Sequence, residues 1–397
     1  MKIAYLCQSY PPMISGAALV VQRLAHGIAN AGHEVTVLCA SDETRSYKSR
    51  SANIDIVHLH SIRNPLRVQQ RFVPWSQAEI AANLETFSPD IIHFHDTFLI
   101  ALSGLQAARR LPHPTAKIIT IHQLPWFVSM YLPPLRKTVE AVLWKYATNL
   151  LKSFDEVITP SEMIAEIVRV HASRCPMVIS NGIDLECFTP NSQFQGEGEI
   201  LRRKYQLDPD FPIILFVGRI DPDKQVDLLV RAFAEVLHSV AAQLLIVGSG
   251  TCLDKISELT KELQIHHLCH FPGFVSSAGD LPGLYRLSSI FCTTSLVEIQ
   301  SSVVLEAAAT GLPVVAFRSS SMPEFVSDGE SGYLVKPQDI TAMADRIVWL
   351  IQNLQQARAM GQAGLRIVLK HSLKHSIDAH LTLYESLLRS FSKGQGS

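Results

Sequence analysis

The chain has 397 residues, a formal net charge of −1, and a hydrophobic fraction of 47%. This length and composition are sufficient for two globular domains, or one large α/β unit, with a well-buried core. The near-neutral charge argues against nucleic acid as the main partner.

Short β-rich runs alternate with helical patterns in the first half of the chain, which is typical of parallel sheets covered by helices on both faces. The predicted strands are KIAYL, EVTVL, IDIVHL, DIIHF, KIITI, EVIT and MVIS. The predicted helices between them are residues 17–31, 77–87, 99–110 and 162–171. The opening MKIAYLC is a short strand and not an export signal, and no apolar run reaches the ~18 residues of a membrane span. We therefore expect a cytoplasmic protein that is at most peripheral on the inner face of the cell membrane.

The loop at residues 8–17, QSYPPMISGA, joins the first predicted strand to the first predicted helix. Gly16 has no side chain, so a phosphate group could approach the backbone closely at this helix start. Considered alone, the loop favours an ordinary strand-to-helix turn.

A basic run follows between residues 45 and 71, where Asp55 is the one acidic residue. Its basic members are Arg45, Lys48, Arg50, Arg63, Arg67 and Arg71. We favour a solvated face, and a patch that binds an anionic membrane surface is the alternative.

Histidines and cysteines give no sign of a metal centre. His58 and His60 alternate along one predicted strand, and His93 and His95 along another, but neither pair has a carboxylate or cysteine cluster nearby. The seven cysteines are scattered without a CxxC pair, which favours buried thiols in a reducing cytosol. We expect no metal and no bound cofactor.

The segment LPWFVSMYLPPLRK, at residues 124–137, combines aromatic residues, prolines and two basic residues. One interpretation is a buried loop that leads into a helix. The other is a segment, including Trp126, that dips into a membrane surface beside an acceptor site. Both interpretations are open at this point.

The second half repeats the α/β plan with the predicted strands IILFVG, AQLLIVG, HFPGF, IFCTT and PVVAF. The weakly ordered stretch 189–198 predicts the boundary between a domain at residues 1–188 and another at 199–373. The predicted fold class is therefore α/β, with two Rossmann-like domains facing each other across a cleft at the carboxyl ends of their sheets.

Two cations follow the strand IILFVG. Arg219 comes directly after Gly218, and Lys224 stands five residues later at a predicted helix start. An arginine can bind two oxygens at once and a lysine adds a point charge, so the pair suits a diphosphate. Charged residues are common after strands, so the pattern is weak by itself.

The stretch SLVEIQSSVVLEAAATG, at residues 295–311, carries two glutamates, Glu298 and Glu306. Ser301 and its neighbours can cap a helix at 303–310, and Gly311 suits a left-handed end. Glu298 then precedes the helix, and Glu306 lies one turn inside it and leans back toward that loop. Free N–H groups at the helix start can bind a diphosphate, while the two carboxylates hold sugar hydroxyls on either side. This arrangement fits a nucleotide sugar.

Two other interpretations apply to these glutamates. Helical glutamates are usually solvated surface charges, but the apolar run after Glu306 predicts a helix packed into a core, where a carboxylate needs a partner. The two residues could instead be the acid and base of a glycosidase. The phosphate features at Arg219 and Lys224 do not fit that alternative.

With these motifs in place, the chain resembles the retaining glycosyltransferases of the large bacterial glutamate-x7-glutamate family, glycosyltransferase family 4. It looks most like diacylglycerol glucosyltransferases and phosphatidylinositol mannosyltransferases. The resemblance extends from PPMISGAA through VGRIDPDK and the Glu298–Glu306 segment to GYLVKPQD. It implies a GT-B fold, in which the last helix, near residues 374–392, crosses back onto the first domain.

The resemblance also assigns roles to residues. Arg219 and Lys224 would neutralise the leaving diphosphate, although Gln225 stands where the family more often has glycine. His122 would reach the donor sugar, while Asp96 and Trp126 are acceptor-side candidates. Glu298 would hold the hexose and Glu306 the ribose. The remaining residues expected at the donor are Gly16, Phe274, Val275, Ile299, Gln300 and Ser301, where Phe274 and Val275 lie near the nucleobase.

The function implied is retaining transfer of a hexose, taken as glucose from UDP-glucose, to a hydroxyl acceptor with a preference for a lipid such as diacylglycerol. Transfer to a soluble sugar or small molecule is the main alternative. A nucleotide-sugar epimerase, a phosphorylase and a two-lobed sugar-binding protein are further alternatives that share the architecture.

Overall fold

The computed structural model describes residues 1–13, 15–63, 71–125, 135–191 and 196–394. The chain divides into two compact units, the first formed by residues 1–182 and 373–397 and the second by residues 183–372. Across the described residues, we find no helix with the length and apolar character needed to cross a membrane.

The first unit is built on a mostly parallel sheet. Within its described residues the strand order is β10-β9-β8-β7-β1-β2-β4-β3, and β3 alone runs antiparallel to its neighbour. The strands are β1 (Lys2–Cys7), β2 (Glu34–Ala40), β3 (Tyr47–Ser51), β4 (Ile54–Leu59), β7 (Ile91–Phe94), β8 (Ala116–Thr120), β9 (Glu156–Thr159) and β10 (Met177–Val178). The strands β5 (Ile62–Arg63) and β6 (Arg71–Phe72) pair antiparallel in a separate two-stranded sheet.

Helices cover this sheet. They are α1 (Gly16–Asn30), α2 (Gln77–Phe87), α3 (Leu99–Ala108), α4 (Arg136–Leu151) and α5 (Glu162–Ala172). The sequence of α1 places apolar residues three or four positions apart, and the stripe of Val21, Leu24, Ala25 and Ile28 is buried against the sheet. The predicted strands and helices of this half are confirmed, whereas β3, the short pair β5 and β6, and α4 were not predicted. The pattern missed β3 because its sequence, YKSRS, is polar and largely exposed, as suits an edge strand.

The second unit contains an all-parallel sheet with the order β13-β12-β11-β14-β15-β16 among its described residues. Its strands are β11 (Ile213–Val217), β12 (Gln243–Val247), β13 (Cys269–Gly273), β14 (Ile290–Thr293), β15 (Val314–Phe317) and β16 (Gly332–Val335). Read from β11 outward, this is the strand order of a dinucleotide-binding Rossmann sheet, and the order reverses between β11 and β14.

The helices of the second unit lie on both faces of that sheet. They are α6 (Glu197–Lys204), α7 (Val226–Val236), α8 (Leu253–Glu262), α9 (Leu281–Leu287), α10 (Ser302–Ala309), α11 (Met322–Phe325), α12 (Ile340–Gln352) and α13 (Leu354–Val368). Fully buried β-branched and aromatic side chains fill the core on each side of the strands. Both units are Rossmann-like, as the sequence predicted.

The chain passes from one unit to the other at residues 182–183 and returns at 372–373. The first passage precedes the predicted boundary at 189–198, because Ile183 and Phe188 are already fully buried in the core of the second unit. The returning segment forms α14 (Leu373–Gly394), whose Leu383 and Tyr384 are buried in the core of the first unit.

Candidate functional site

The strand order of the second unit brings the predicted phosphate residues together. Arg219 and Lys224 follow β11, and the loop carrying Glu298 follows the adjacent strand β14. Parallel strands end at the same edge of a sheet, and ligands of such sheets bind where the order reverses. The Thr294 hydroxyl joins the two loops by donating to the carbonyl oxygens of Lys224 and Gln225, each at 2.8 Å.

An ion pair connects the two loops at the centre of the site. Lys224 Nζ lies 2.6 Å from Glu298 Oε1, and the two side chains are only 14% and 13% exposed. Lys224 also donates to Ser295 Oγ at 3.3 Å. The lysine is therefore held in place by the carboxylate that the sequence assigns to the sugar.

Arg219 is paired with two carboxylates of its own loop. Its guanidinium donates to Asp221 and, at 3.1 Å, to Asp223 Oδ2. Asp223 is buried, and its Oδ1 has no hydrogen-bond partner among the described residues. Asp221 in turn accepts from the backbone N–H and hydroxyl of Thr251. These pairings orient the arginine before any anion is bound.

Gln225, which departs from the family pattern, has φ +48° and ψ 44°. This left-handed conformation is one that glycine adopts without steric cost and other residues adopt with strain. The left-handed backbone therefore explains why the family more often has glycine at this position.

Helix α10 begins beside the ion pair, with Ser301 preceding its first residue. Ser301 was predicted to cap the helix, but its side chain makes no cap hydrogen bond. Its hydroxyl is buried and has no hydrogen-bond partner in the described parts of the chain. A hydroxyl that can donate or accept a hydrogen bond therefore lies unpaired at the helix start. At the other end Gly311 has φ +76°, as predicted for a left-handed helix end.

Glu306 lies one turn inside α10 and is buried. The hydroxyl of Tyr285, from α9, donates to Glu306 Oε2 at 3.0 Å. Burial and the neighbouring carboxylate raise the pKa of Tyr285 well above its usual value, so the phenol keeps its proton. Tyr285 therefore orients one oxygen of Glu306.

The other donor residues predicted in the second unit lie at the same sheet edge. Phe274 follows β13 and is half exposed, and Val275 beside it packs against the core. Ile299 is buried and Gln300 is half-buried in the loop between Glu298 and Ser301.

In the first unit the sheet order reverses between β1 and β7, and a carboxylate occupies that point. Asp96, just after β7, accepts a 2.6 Å hydrogen bond from the backbone N–H of Gln8, just after β1. Burial raises the pKa of Asp96 to about 7, although the Gln8 N–H opposes the shift. Gly16 begins α1, where Ser15 Oγ accepts from Ala18 N–H, and a Cβ at Gly16 would meet nothing within 4 Å.

His122 follows β8, beside Asp96 at the same edge of the sheet. Its Nε2 lies 2.9 Å from Nδ1 of His95, the residue before Asp96. Burial lowers the pKa of His122 to about 4, with a further contribution from His380 of α14. His122 is therefore a neutral ring at physiological pH.

The acceptor-side predictions have a mixed outcome. Trp126 lies outside the described residues, as does Arg67 of the basic run. Arg71 was expected on a solvated face, with a membrane-binding patch as the alternative, but it is buried and donates to Ser61 and to backbone carbonyls. Arg45 and Arg50 pair with Glu43 and Asp55.

Among the described residues, a largely apolar pocket adjoins the sheet edge that carries Asp96 and His122. Its lining includes Phe98, Leu124, Leu143 and Trp144.

Sequence reasoning missed several residues that orient the site. Asp221 and Asp223 stand between Arg219 and Lys224 in the chain, so the acidic positions of RIDPDK were a usable signal. Tyr285 gave no local signal, and the alternation of His93 and His95 did not reveal that His95 bonds His122, because each residue meets its partner only through the tertiary fold. In the described parts of the chain, no cluster of three or more histidine, cysteine or acidic side chains could hold a metal ion.

Two glycosyltransferase profiles match this chain. The profile "Glycosyltransferase Family 4" matches residues 14–187, and "Glycosyl transferases group 1" matches residues 198–366. A GDP-mannose-dependent alpha-mannosyltransferase of Mycobacterium tuberculosis is 27% identical over 98% of this chain and 97% of its own length. An alpha-monoglucosyldiacylglycerol synthase of Streptococcus pneumoniae is 25% identical over 84% of this chain and 75% of its own.

Among solved structures, a sucrose-phosphate synthase from Thermosynechococcus elongatus superposes with a TM-score of 0.82 at 22% identity, covering 98% of this chain and 99% of that one. The likeness shows the GT-B type of fold. With both units matched by glycosyltransferase profiles, the chain belongs to glycosyltransferase family 4 and is a sugar transferase.

Proposed function

We propose that this protein transfers glucose from UDP-glucose, with retention of anomeric configuration, to a hydroxyl of a lipid such as diacylglycerol. The observation that carries the proposal is the Lys224–Glu298 ion pair at 2.6 Å, beside the unpartnered Ser301 hydroxyl at the start of α10. A cation, a helix N-terminus and a carboxylate at one point suit a diphosphate joined to a sugar.

The proposed donor contacts follow from these positions. Glu306 binds the ribose hydroxyls, with its second oxygen oriented by Tyr285. Glu298 and the backbone of residues 299–301 bind the hexose, and the nucleobase lies near Phe274 and Val275. When the donor binds, its diphosphate replaces the carboxylates as the ionic partner of Arg219 and Lys224.

In the proposed reaction the bond between the anomeric carbon and the diphosphate oxygen breaks, and the acceptor oxygen bonds that carbon on the same face. The acceptor proton passes to the departing diphosphate. Arg219, Lys224 and the dipole of α10 stabilise the negative charge that develops on it. His122 bonds an oxygen of the bound sugar, and Asp96 is the proposed acceptor contact.

Retention is supported by the two relatives, whose names both specify alpha products. Nucleoside diphosphate glucose and mannose carry an alpha bond, so an alpha product from either donor means retention. The lipid acceptor is supported by the pneumococcal relative and by the apolar pocket beside Asp96 and His122. Peripheral association with anionic membranes, through Arg136, Lys137 and Trp126, is part of the same proposal.

GDP-mannose is the second candidate donor. The mycobacterial relative named for it matches almost the whole of this chain, at slightly higher identity than the glucolipid synthase. UDP-glucose and GDP-mannose differ at the nucleobase and at C2 of the hexose. The rates of nucleotide release from the two therefore show which one is the donor.

The test is nucleotide release from UDP-, GDP- and ADP-hexoses, with and without micelles that contain diacylglycerol. We expect release from UDP-glucose that rises strongly with the lipid. Lipid-independent release would move the acceptor to soluble sugars or small molecules, and release from GDP-mannose alone would replace the donor. Absence of release from every donor would contradict the proposal. Anomeric configuration is read by NMR of the product.

The same assay tests the proposal that protein cations carry the phosphate charge. We expect turnover to be unchanged by EDTA. A loss that is restored by Mg²⁺ or Mn²⁺ would contradict that part of the proposal.

A further inference from the structure

A cluster of buried rings lies behind His122 in the first unit. His93 bonds Tyr384 OH through Nδ1 at 2.6 Å and Thr120 Oγ1 through Nε2 at 2.8 Å, so both of its nitrogens are used. The His95 ring packs against His93 with 4.2 Å between centroids and against Tyr5 with 5.4 Å. These contacts fix the plane of His95.

His95 is therefore held with one nitrogen directed at His122. The distance between His95 Nδ1 and His122 Nε2 is 2.9 Å, and the two rings are inclined by 15°. Burial lowers the pKa of both rings, with the neighbouring histidines His93 and His380 contributing, so both are neutral. Between two neutral rings, one nitrogen must donate and the other must accept.

The remaining nitrogen of His95 decides which one donates. His95 Nε2 is buried and has no partner among the described residues. A buried N–H that has no acceptor loses the free energy of its hydrogen bond to water. Buried donors without a partner are rarer in proteins than buried acceptors without one. The favoured tautomer of His95 thus has its proton on Nδ1 and a bare lone pair on Nε2.

We propose that His95 is a positioning residue: its Nδ1–H donates to His122 Nε2 and fixes His122 as the tautomer that carries its proton on Nδ1. No described residue bonds His122 Nδ1, so this nitrogen offers an N–H donor to an oxygen of the bound sugar. The sugar contact rests on the proposed function, whereas the tautomer is a property of the protein alone.

The test is nitrogen-15 NMR of the imidazole groups in the full-length protein, with His122 assigned by comparison with His122→Gln. We expect the wild-type spectrum to show a protonated Nδ1 and a bare Nε2 for His122. In His95→Phe the Nδ1 tautomer should give way to the Nε2–H form that free imidazole side chains favour. His95→Asn, whose amide N–H can replace Nδ1–H, should retain the Nδ1 tautomer.

His93→Phe is the matched control, since it keeps a ring beside His95, removes two buried hydrogen bonds of the same cluster and breaks no bond to His122. It should lower the melting temperature and leave the His122 tautomer unchanged. A wild-type His122 protonated on Nε2 would overturn the inference even if no variant folds. So would a His95→Phe protein whose His122 keeps the Nδ1 proton.

Nucleotide release gives the catalytic consequence. His95→Phe should lower kcat about tenfold with little change in the donor KM, and His95→Asn should recover most of the loss. Equal kcat in all three proteins would contradict the role of the tautomer in turnover. Absence of release from the wild type with every donor would contradict the proposed function and leave the NMR result standing.

Discussion

Lys224 and Glu298 are separated by 74 residues in the chain and by 2.6 Å in the structure. Each follows the carboxyl end of one of two adjacent strands, β11 and β14, at the point where the sheet order reverses. The order of the strands in the sheet therefore brings the pair together. In the proposed reaction Lys224 stabilises the leaving diphosphate and Glu298 binds the hexose.

A double-mutant cycle with Lys224→Met and Glu298→Gln should show strong coupling in stability. Both side chains are largely buried, so removing one partner leaves an uncompensated charge, and we expect a coupling of about 1–3 kcal/mol from urea denaturation. The exposed pair Lys261–Glu258, at 3.1 Å, is the control and should couple by at most about 1 kcal/mol. Equal coupling in the two cycles would mean that the buried pair is not formed in solution.

Substitutions in the Lys224–Glu298 pair should also lower turnover. Lys224→Met removes a cation from the leaving diphosphate, so turnover should fall on the order of 10²-fold. Glu298→Ala should also lower turnover, because the hexose loses its carboxylate contact. Lys261→Met should leave release rates unchanged. Full activity in both site variants would remove the basis of the assignment.

Glu306→Ala should weaken donor binding more than turnover. Loss of the proposed ribose contact should raise the Kd of UDP about 10- to 100-fold, measured by calorimetry. Tyr285→Phe keeps the carboxylate but removes the 3.0 Å bond that orients it, together with a 3.3 Å bond to the carbonyl of Val303, so a smaller increase is expected. Unchanged UDP affinity in Glu306→Ala would place the ribose elsewhere.

The carboxyl of Asp96 should make stability depend on pH. Its pKa of about 7 in the folded protein lies above the 3.8 of an unperturbed aspartate, so the folded state binds more protons between these values. Stability from this group is present at low pH and lost as pH rises from about 4 to 7. Asp96→Asn, which can still accept from Gln8, should raise the melting temperature at pH 8 more than at pH 5. A constant difference would show that Asp96 titrates normally.

Gln225→Gly should stabilise the second unit. The left-handed backbone at Gln225 costs a residue with a Cβ about 1 kcal/mol, and glycine removes that strain. Gln225→Ala is the matched control, because it removes the same polar side chain and keeps the Cβ. We expect Gln225→Gly to have the higher melting temperature of the two, and the reverse order would contradict the strain argument.

Much of the fold could be predicted from local patterns. Buried parallel strands such as IILFV and QLLIV are continuous apolar runs, and the helices between them show one apolar face, so both are visible in the sequence. The polar edge strand β3 lacks such a pattern, because only one of its sides pairs with the sheet.

The site was predictable where residue type and local spacing carry the chemistry. The sequence by itself determined that Glu306 lies one turn inside a helix and Gly311 ends it, because helix geometry depends on near neighbours. Only the tertiary structure decided that Ser301 leaves its hydroxyl unpaired, that Tyr285 orients Glu306, and that His95 bonds His122. Those contacts depend on strand order and on the packing of separate elements, which the spacing of residues along one segment does not encode.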